Sequence, residues 1–187
     1  MVEQFLRRKN QQLSKNDRSI KQEVDEKIKD LCEKINKSDK YYTTSSCSGR
    51  ILLLRDIKEK RNDVILNAWH GKITFNELKN AIENISNKGT IYLKQEPCIL
   101  HIACKTLEDA QKLIDLANVK AGWKRCGIIS LNRIIVELNT SERLELPIIK
   151  DEKLIVDDSY LNLIIDEANK RLVSSWEKIE RFDKLVN

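Results

Sequence analysis

Between residues 41 and 156, short apolar runs alternate with two amphipathic stretches, and a threonine precedes each stretch. The pattern Thr74-Phe75-Asn76-Glu77 is typical of a capping box, in which a threonine hydroxyl and a glutamate carboxylate bond reciprocally to backbone amides at a helix start. Thr106 opens the second stretch in a similar way. The apolar runs are typical of buried strands. Because strands outnumber helices and hairpins mix with crossovers, we predict an α+β fold with a mixed or antiparallel sheet, flanked by helices at both chain ends.

Both ends of the chain are predicted to be helical. Apolar residues recur at helical spacing over about 19–37, at Ile20, Val24, Ile28, Leu31 and Ile35. Acidic residues and a serine at 157–159 favour the start of a long C-terminal helix over about 158–186. The sheet core then covers about 41–156. A chain of 187 residues has the length of one domain, so we predict a single domain over 1–187.

The composition excludes several classes of protein. Five glycines are present, and the glycine-rich strand–loop–helix of a Rossmann fold does not occur. No run of about 20 apolar residues exists, as a membrane-spanning helix requires. The N-terminal residues lack the apolar core of a signal peptide, so the expected location is cytoplasmic.

The cysteines do not predict a metal site. Zinc sites commonly use closely spaced cysteine pairs, and the five cysteines contain no such pair. We expect thiols in a reducing compartment, four of which serve as small apolar residues, and no bound metal. The five are Cys32, Cys47, Cys98, Cys104 and Cys126.

Charge is unevenly distributed along the chain. The formal net charge is +5, with an excess of basic residues in 1–105, a balance in 106–147 and an acidic excess in 148–187. A basic portion of this kind favours a polyanionic partner such as nucleic acid. The alternative interpretation is an ordinary solvated surface rich in lysine.

The segment 43–50 is the most unusual part of the sequence, because it holds five hydroxyl side chains, a thiol, a glycine and an arginine. Successive amides near the glycine can form an anion-binding nest, and the arginine can bind phosphate or carboxylate through two hydrogen bonds. The alternative is a polar hairpin whose hydroxyls bond within the protein. The candidate binding residues are Ser45, Ser46, Cys47, Ser48, Gly49 and Arg50.

Three titratable residues are candidates for a base or an orienting group. His70 and His101 are the two histidines of the chain, and each can carry a proton near neutral pH. Glu96 precedes Pro97, which restricts the glutamate backbone to extended conformations, so its carboxylate can contact a substrate amine. The alternatives are histidines that serve only the core or a strand edge, and a glutamate that serves only a turn.

Aromatic residues offer a further possibility. Trp69 and Trp123 can stack on a nucleobase. Packing within the protein is the commoner role of tryptophan, so this alternative stays open for both.

The run Thr43-Thr44-Ser45-Ser46-Cys47-Ser48-Gly49-Arg50-Ile51 resembles the signature of the tRNA wybutosine-synthesising protein 3 family. Further short elements agree with that family in the same order, over about residues 5–182. These elements are Asp17, Ser19 and Lys21; Trp69-His70; Glu96-Pro97; Leu100-His101; Ala121-Gly122-Trp123; Cys126-Gly127-Ile128; Glu145-Leu146-Pro147; Ala168-Asn169; and Arg181-Phe182.

This resemblance implies an activity. Members of the family use S-adenosylmethionine to methylate N4 of 7-aminocarboxypropyl-4-demethylwyosine at position 37, in the anticodon loop of tRNA(Phe). The resemblance implies that the donor and substrate site includes segment 45–50, Trp69 and Pro97. The candidate catalytic residues are His70, His101 and Glu96. Lys21 and Arg55 are candidates for contact with tRNA. Such an enzyme would not be a Rossmann methyltransferase. Two alternatives stay open: a non-catalytic tRNA-binding module in tRNA modification, and a structural interaction protein that uses the acidic last helix.

Overall fold

The computed structural model describes residues 2–14, 24–56, 64–85 and 89–186. These residues form five α-helices, nine strands and a π-helical segment, Leu116–Lys120, that continues the fourth helix. The helices are α1 (Val2–Leu13), α2 (Glu26–Lys37), α3 (Phe75–Glu83), α4 (Leu107–Asp115) and α5 (Asp158–Asp183). The strands are β1 (Tyr41–Cys47), β2 (Arg50–Arg55), β3 (Ile65–Trp69), β4 (Ile91–Glu96), β5 (Ile99–Cys104), β6 (Arg125–Ser130), β7 (Ile135–Asn139), β8 (Leu144–Lys150) and β9 (Lys153–Leu154).

The chain divides into two compact units. The first unit comprises Met1–Ser48, Cys98–Ser141 and Ser175–Asn187, and the second comprises Gly49–Pro97 and Glu142–Ser174. Helix α5 therefore contributes residues 158–174 to the second unit and residues 175–183 to the first.

The first unit is built on a four-stranded sheet in the order β1-β5-β7-β6, in which every neighbouring pair is antiparallel. The two-residue period of a strand directs Leu100 and Ile102 of β5 to one face and His101 to the other. The apolar face packs into a core with residues of α2, α4 and the end of α5. On the other face, Phe5 of α1 packs against Tyr42 and Ala103.

The second unit contains a five-stranded antiparallel sheet in the order β3-β2-β4-β8-β9. The first part of α5 is joined to the α3 region by polar contacts. Asn169 accepts a 2.9 Å hydrogen bond from the Ile73 amide and donates a 2.8 Å bond to the Ile73 carbonyl. Lys79 of α3 forms a 2.6 Å ion pair with Asp158 of α5. An asparagine that satisfies both backbone groups of one residue sets the position of the loop before α3.

The α+β class, the antiparallel pairing and the long C-terminal helix are confirmed. Every strand pair in the described residues is antiparallel, so these residues contain no doubly wound parallel sheet of the Rossmann type. The single domain over 1–187 stays a prediction. None of the helices in the described ranges combines the length and the apolar character that crossing a bilayer requires.

The described strands form two sheets, a division that the predicted mixed or antiparallel sheet did not specify. Strands β1 and β2 follow each other with a two-residue break, yet they pair with different neighbours. Gly49 lies in this break with φ of +97°, a conformation that residues with a Cβ rarely adopt. A buried strand has the same apolar pattern whether the next strand joins the same sheet or another one. The sequence pattern therefore did not show that β1 and β2 belong to different sheets.

Several boundaries also differ from the prediction. Helix α2, in the region expected to be helical over about 19–37, begins at Glu26, because Asp25 has non-helical backbone angles (φ −54°, ψ 130°). Residues 15–23 lie outside the described ones. The C-terminal helix ends at Asp183 rather than near 186. Helix α1 was not predicted, since Phe5 is its main buried apolar side chain. Strand β8 was missed because it contains Pro147, which lies where β8 pairs with β4 alone.

We expect Thr74→Ala to lower the free energy of unfolding by about 1 kcal/mol, the typical value of a helix N-cap. The Thr74 hydroxyl accepts from the Glu77 amide at 3.3 Å, and the Glu77 carboxylate accepts from the Thr74 amide at 2.7 Å. Urea denaturation measures the change. Thr74→Ser keeps the hydroxyl and serves as the control, and an equal loss in both variants would contradict the capping role.

Candidate functional site

In the second unit, the register of β2 with β4 sets Arg50 directly opposite Glu96. Their side chains form an ion pair, with Nε of Arg50 2.7 Å from Oε2 of Glu96. Lys94 Nζ lies 3.3 Å from the other carboxylate oxygen of Glu96. Both members of the Arg50–Glu96 pair are about 30% exposed, at 30% and 28%. Two candidates that lie far apart in the sequence therefore meet at a solvent-accessible position.

The Glu96 carboxylate is ionised at neutral pH. Burial raises the pKa of Glu96, but the hydrogen bond from Arg50 and the charges of Arg50 and Lys94 outweigh burial and hold this pKa below its ordinary value of 4.5. A carboxylate that holds its proton so weakly is a poor general base near neutral pH. Its chemistry is to orient cations and hydrogen-bond donors.

Arg50 keeps part of its hydrogen-bonding capacity. A guanidinium has five N–H donors, and the hydrogen bond that Arg50 makes to another described residue uses Nε. Its two terminal amino groups have no hydrogen-bond partner among the described residues. They can donate two parallel hydrogen bonds to a carboxylate or a phosphate.

The backbone at Glu96 is held by Gln95, a residue that sequence analysis missed. The Gln95 side chain is fully buried, and its Nε2 donates a 2.9 Å hydrogen bond to the Glu96 carbonyl. Pro97, which follows, is also buried and fixes its own φ. The sequence did indicate that Gln95 is buried, because it continues the alternation of β4 in which Ile91 and Leu93 are the buried residues.

Trp69 lies on the opposite face of the second unit's sheet from Arg50. Ile51 pairs with both Trp69 and Gln95, and directly opposed residues of an antiparallel pair share a face. Trp69 is half-buried at the end of β3, and His70 follows it, also half-buried. The register therefore does not place Trp69 beside Arg50. Arg55 ends β2, and its amide donates to the Val64 carbonyl at 2.8 Å.

Most of segment 43–50 lies in a strand. Residues 43–47 belong to β1, and alternating strand amides do not form a continuous nest. The Thr43 hydroxyl bonds to Asn36, and Thr44 Oγ1 donates to the His101 carbonyl at 3.3 Å. The hydroxyls of Ser45 and Ser46 have no hydrogen-bond partner among the described residues, so these two remain available to a ligand.

Ser48 is held by Asp25, a second residue that sequence analysis missed. Asp25 Oδ2 accepts hydrogen bonds from the Ser48 amide at 2.9 Å and from its hydroxyl at 3.1 Å. Asp25 occupies the N-cap position of α2 but makes no side-chain bond to its own helix. Aspartate is a common N-cap residue, so Asp25 could have been predicted as the start of α2. The prediction placed that start near residue 19 instead. Ser48 is buried, and its amide and hydroxyl hydrogens are directed to Asp25.

In the first unit, His101 pairs with Glu137. The β5–β7 register places the two residues opposite each other, and His101 Nε2 lies 2.9 Å from Glu137 Oε2. When Nε2 carries the proton, it donates to the carboxylate and leaves Nδ1 as a proton acceptor. The side chains are 26% and 35% exposed. Ser45 lies opposite His101 on β1, so a serine, a histidine and a carboxylate form one row across three strands.

Two other predictions have clear outcomes. Trp123 is fully buried and packs on the Phe182 ring at 5.5 Å, while its Nε1 donates to the Lys178 carbonyl. Trp123 therefore packs within the protein, which is the alternative role that the sequence left open, and does not stack on a nucleobase. Cys104 is buried, and burial, reinforced by the Asp109 charge, raises the pKa of its thiol to about 12. This thiol is therefore inert, as expected of an apolar cysteine.

The structure thus brings Arg50 together with Glu96, and His101 together with Ser45 and Glu137. Lys21 lies outside the described residues. The absence of a metal and the roles of His70, Cys47 and Arg55 stay predictions. Glu137 left no local signal, because its proximity to His101 arises only from strand pairing.

The family model described as Methyltransferase TYW3 matches residues 4–187. A protein of Methanocaldococcus jannaschii, named tRNA(Phe) 7-((3-amino-3-carboxypropyl)-4-demethylwyosine(37)-N(4))-methyltransferase, is 37% identical over 164 residues, which are 85% of this chain and 84% of that protein. A tRNA wybutosine-synthesizing protein 3 homolog of Xenopus laevis is 33% identical over 192 residues, which are 99% of this chain and 75% of that protein.

Solved structures agree with these relatives. The PH1069 protein of Pyrococcus horikoshii has a TM-score of 0.88 and 34% identity, with 98% of this chain and 94% of that chain covered. A hypothetical protein of Aeropyrum pernix has a TM-score of 0.76 and 27% identity, with 87% and 96% covered. The family model spans nearly the whole chain and the relatives share more than 30% of its residues, so the chain belongs to the methyltransferase TYW3 family, as its signature segment predicted.

Proposed function

We propose that this chain uses S-adenosylmethionine to methylate N4 of 7-aminocarboxypropyl-4-demethylwyosine at position 37 of tRNA(Phe), a step of wybutosine biosynthesis. The observation that carries the proposal is family membership, together with the activity in the names of relatives that are 35% to 37% identical. These names favour an enzyme over a non-catalytic tRNA-binding module or a structural interaction protein. Contact with the anticodon loop and a cytoplasmic location are parts of the same proposal.

The Arg50–Glu96 pair fits an α-amino-acid group. A guanidinium with two unpaired amino groups matches a carboxylate, and a carboxylate held ionised beside it matches an ammonium. S-adenosylmethionine carries an α-amino-acid group, and so does the 3-amino-3-carboxypropyl chain in the relatives' printed substrate. This shared chemistry supports a role for the pair in binding one of these two groups. In the first unit, the unbonded Ser45 and Ser46 hydroxyls are separate donors that can bind a polar ligand.

When bound, S-adenosylmethionine would supply a methyl group attached to a sulfonium. Methyl transfer breaks the carbon–sulfur bond and forms a bond from that carbon to N4, and the proton on N4 must then be removed. The protein's main tasks are to hold and align the reactants and to accept that proton. Among the candidates, His101 is the best suited base, because Glu137 orients its ring and leaves Nδ1 as an acceptor. Glu96, ionised between two cations, serves binding.

The direct test combines the chain with S-adenosylmethionine and tRNA(Phe) that carries the demethylated base. Nucleoside mass spectrometry is expected to show one added methyl group. Calorimetry with S-adenosylmethionine, alone and with the tRNA, separates an enzyme from a binding module. Failure to bind the donor under both conditions would overturn the proposal.

We expect Arg50→Ala to lower kcat/KM by about ten- to a hundredfold, because hydrogen bonds to charged groups contribute about 1.5–3 kcal/mol. Arg50→Lys is expected to restore only part of the activity, since an ammonium lacks two parallel donors. Arg143→Ala removes an exposed arginine of the same unit and is the matched control. Methylation kinetics give the result, and full activity in a folded Arg50→Ala protein would refute the binding role.

The ion pair also predicts a pH-dependent stability. The folded-state pKa of Glu96 lies below its ordinary value of 4.5, so its stabilising contribution is present above that value and is lost as the pH falls through the lowered pKa. We expect Glu96→Gln to destabilise the protein most at neutral pH and progressively less in acid. Urea denaturation across this range tests the trend. Glu108→Gln, which removes a carboxylate from an exposed pair with Lys112, is the matched control.

A double-mutant cycle tests the proposed base. We expect His101→Asn to lower kcat by about 10²–10⁴-fold, as for other general bases, and Glu137→Gln to lower it less. Since the carboxylate acts through the histidine, Glu137→Gln is expected to have little further effect in the His101→Asn background. His70→Asn provides the comparison. If only His70→Asn abolishes turnover, the assignment of the base to His101 is wrong.

A further inference from the structure

A stretch of the first unit carries basic residues only. Residues 116–136, between Asp115 and Glu137, contain Lys120, Lys124 and Arg125 together with Arg133, and no aspartate or glutamate. The net charge of the wider segment 106–147 is zero, and that sum does not show that residues 116–136 are purely basic. All four basic side chains are exposed.

Some lysines of the same unit are neutralised by an acidic partner. Lys34 is paired with Asp183, and Lys112 with Glu108. Among the described residues, by contrast, the four cations of 116–136 make no ion pair and donate no side-chain hydrogen bond. Unneutralised cations along the edge strand β6 and its flanking segments create a positive potential that attracts a polyanion.

Apolar side chains are exposed among these cations. Ile129 is 53% exposed on β6, and Leu131 is 73% exposed in the turn that follows. The π-helical segment, which ends at Lys120, contacts β6. The β6 surface is defined here by Lys120, Lys124, Arg125, Ile129, Leu131 and Arg133. It combines phosphate-binding cations with apolar groups that can contact sugars and bases.

The positive potential extends beyond β6. Burial raises the pKa of Tyr42, while the charges of Arg8 and Arg133 act in the opposite direction. Phe5 of α1 packs against the Tyr42 ring, with 5.2 Å between the ring centroids, so α1 adds its cations on the Tyr42 side of the first unit. One extended partner can reach the charges of α1 and of the β6–β7 turn together.

We propose that the β6 surface binds the phosphate backbone of the tRNA substrate, with Ile129 and Leu131 against ribose or an unstacked base. This inference deepens the proposed function and rests on it. A second copy of the chain is a poorer occupant of this edge strand. Pairing of two β6 strands would bring like charges together, and a bulge between Ile128 and Ser130 interrupts the strand.

The test measures tRNA affinity against salt concentration for Lys124→Gln/Arg125→Gln. We expect weaker binding, and a salt dependence whose logarithmic slope falls by about one for each phosphate that the variant no longer neutralises. The KM for tRNA is expected to rise, with kcat at saturating tRNA and S-adenosylmethionine affinity unchanged. Lys150→Gln/Lys153→Gln removes the same charge from exposed positions of the second unit and is the matched control.

A second variant tests the apolar part. Leu131→Ser is expected to weaken tRNA binding without changing the salt slope, since it removes no charge. Circular dichroism confirms folding, and sedimentation reports the oligomeric state of each variant.

The outcomes separate this inference from the proposed function. If the wild-type chain methylates tRNA but Lys124→Gln/Arg125→Gln binds like the control, the β6 surface is wrong and the proposed function stands. If the substitutions change the oligomeric state and leave tRNA affinity unaltered, the occupant is a second copy and the inference is overturned. If the wild-type chain neither binds nor methylates tRNA, the proposed function fails and this inference fails with it.

Discussion

Antiparallel register is the constraint on which both candidate side-chain pairs depend. Buried Leu52 and Leu53 of β2, with Leu93 of β4, fix how these strands align, and this alignment sets Arg50 opposite Glu96. A slip by one residue would move every side chain of one strand to the other face. The apolar core of the second unit therefore determines whether the guanidinium and the carboxylate meet.

The first unit uses the same constraint with different chemistry. Leu100 and Ile102 are fully buried on one face of β5, and this directs His101 to the opposite face, where Glu137 of β7 lies across from it. A histidine between two buried residues of an apolar strand is thus not a core histidine. The period of the strand exposes it, and the register supplies the partner that orients its ring.

Local signals predicted the local features of this protein well. The capping box at Thr74, the start of α4 after Thr106 and the start of α5 at residues 157–159 each depend on residues within a few positions of one another, and the structure has all three. The residues that bond to the candidate site residues, by contrast, lie far from them in the sequence. Asp25 bonds to Ser48, and Glu137 to His101, across separations of 23 and 36 residues. Such pairings arise from the tertiary fold, which local periodicity does not encode.

The charge state of Glu96 is also consistent with the proposed reaction. Methyl transfer from a sulfonium disperses a localised positive charge as the transition state forms. An unneutralised carboxylate beside the donor would stabilise the reactants more than that transition state, and would slow the reaction. Arg50 and Lys94 both lie within ion-pair distance of Glu96 and neutralise its charge. In the proposed reaction, the carboxylate can therefore orient an ammonium group without holding the sulfonium in its ground state.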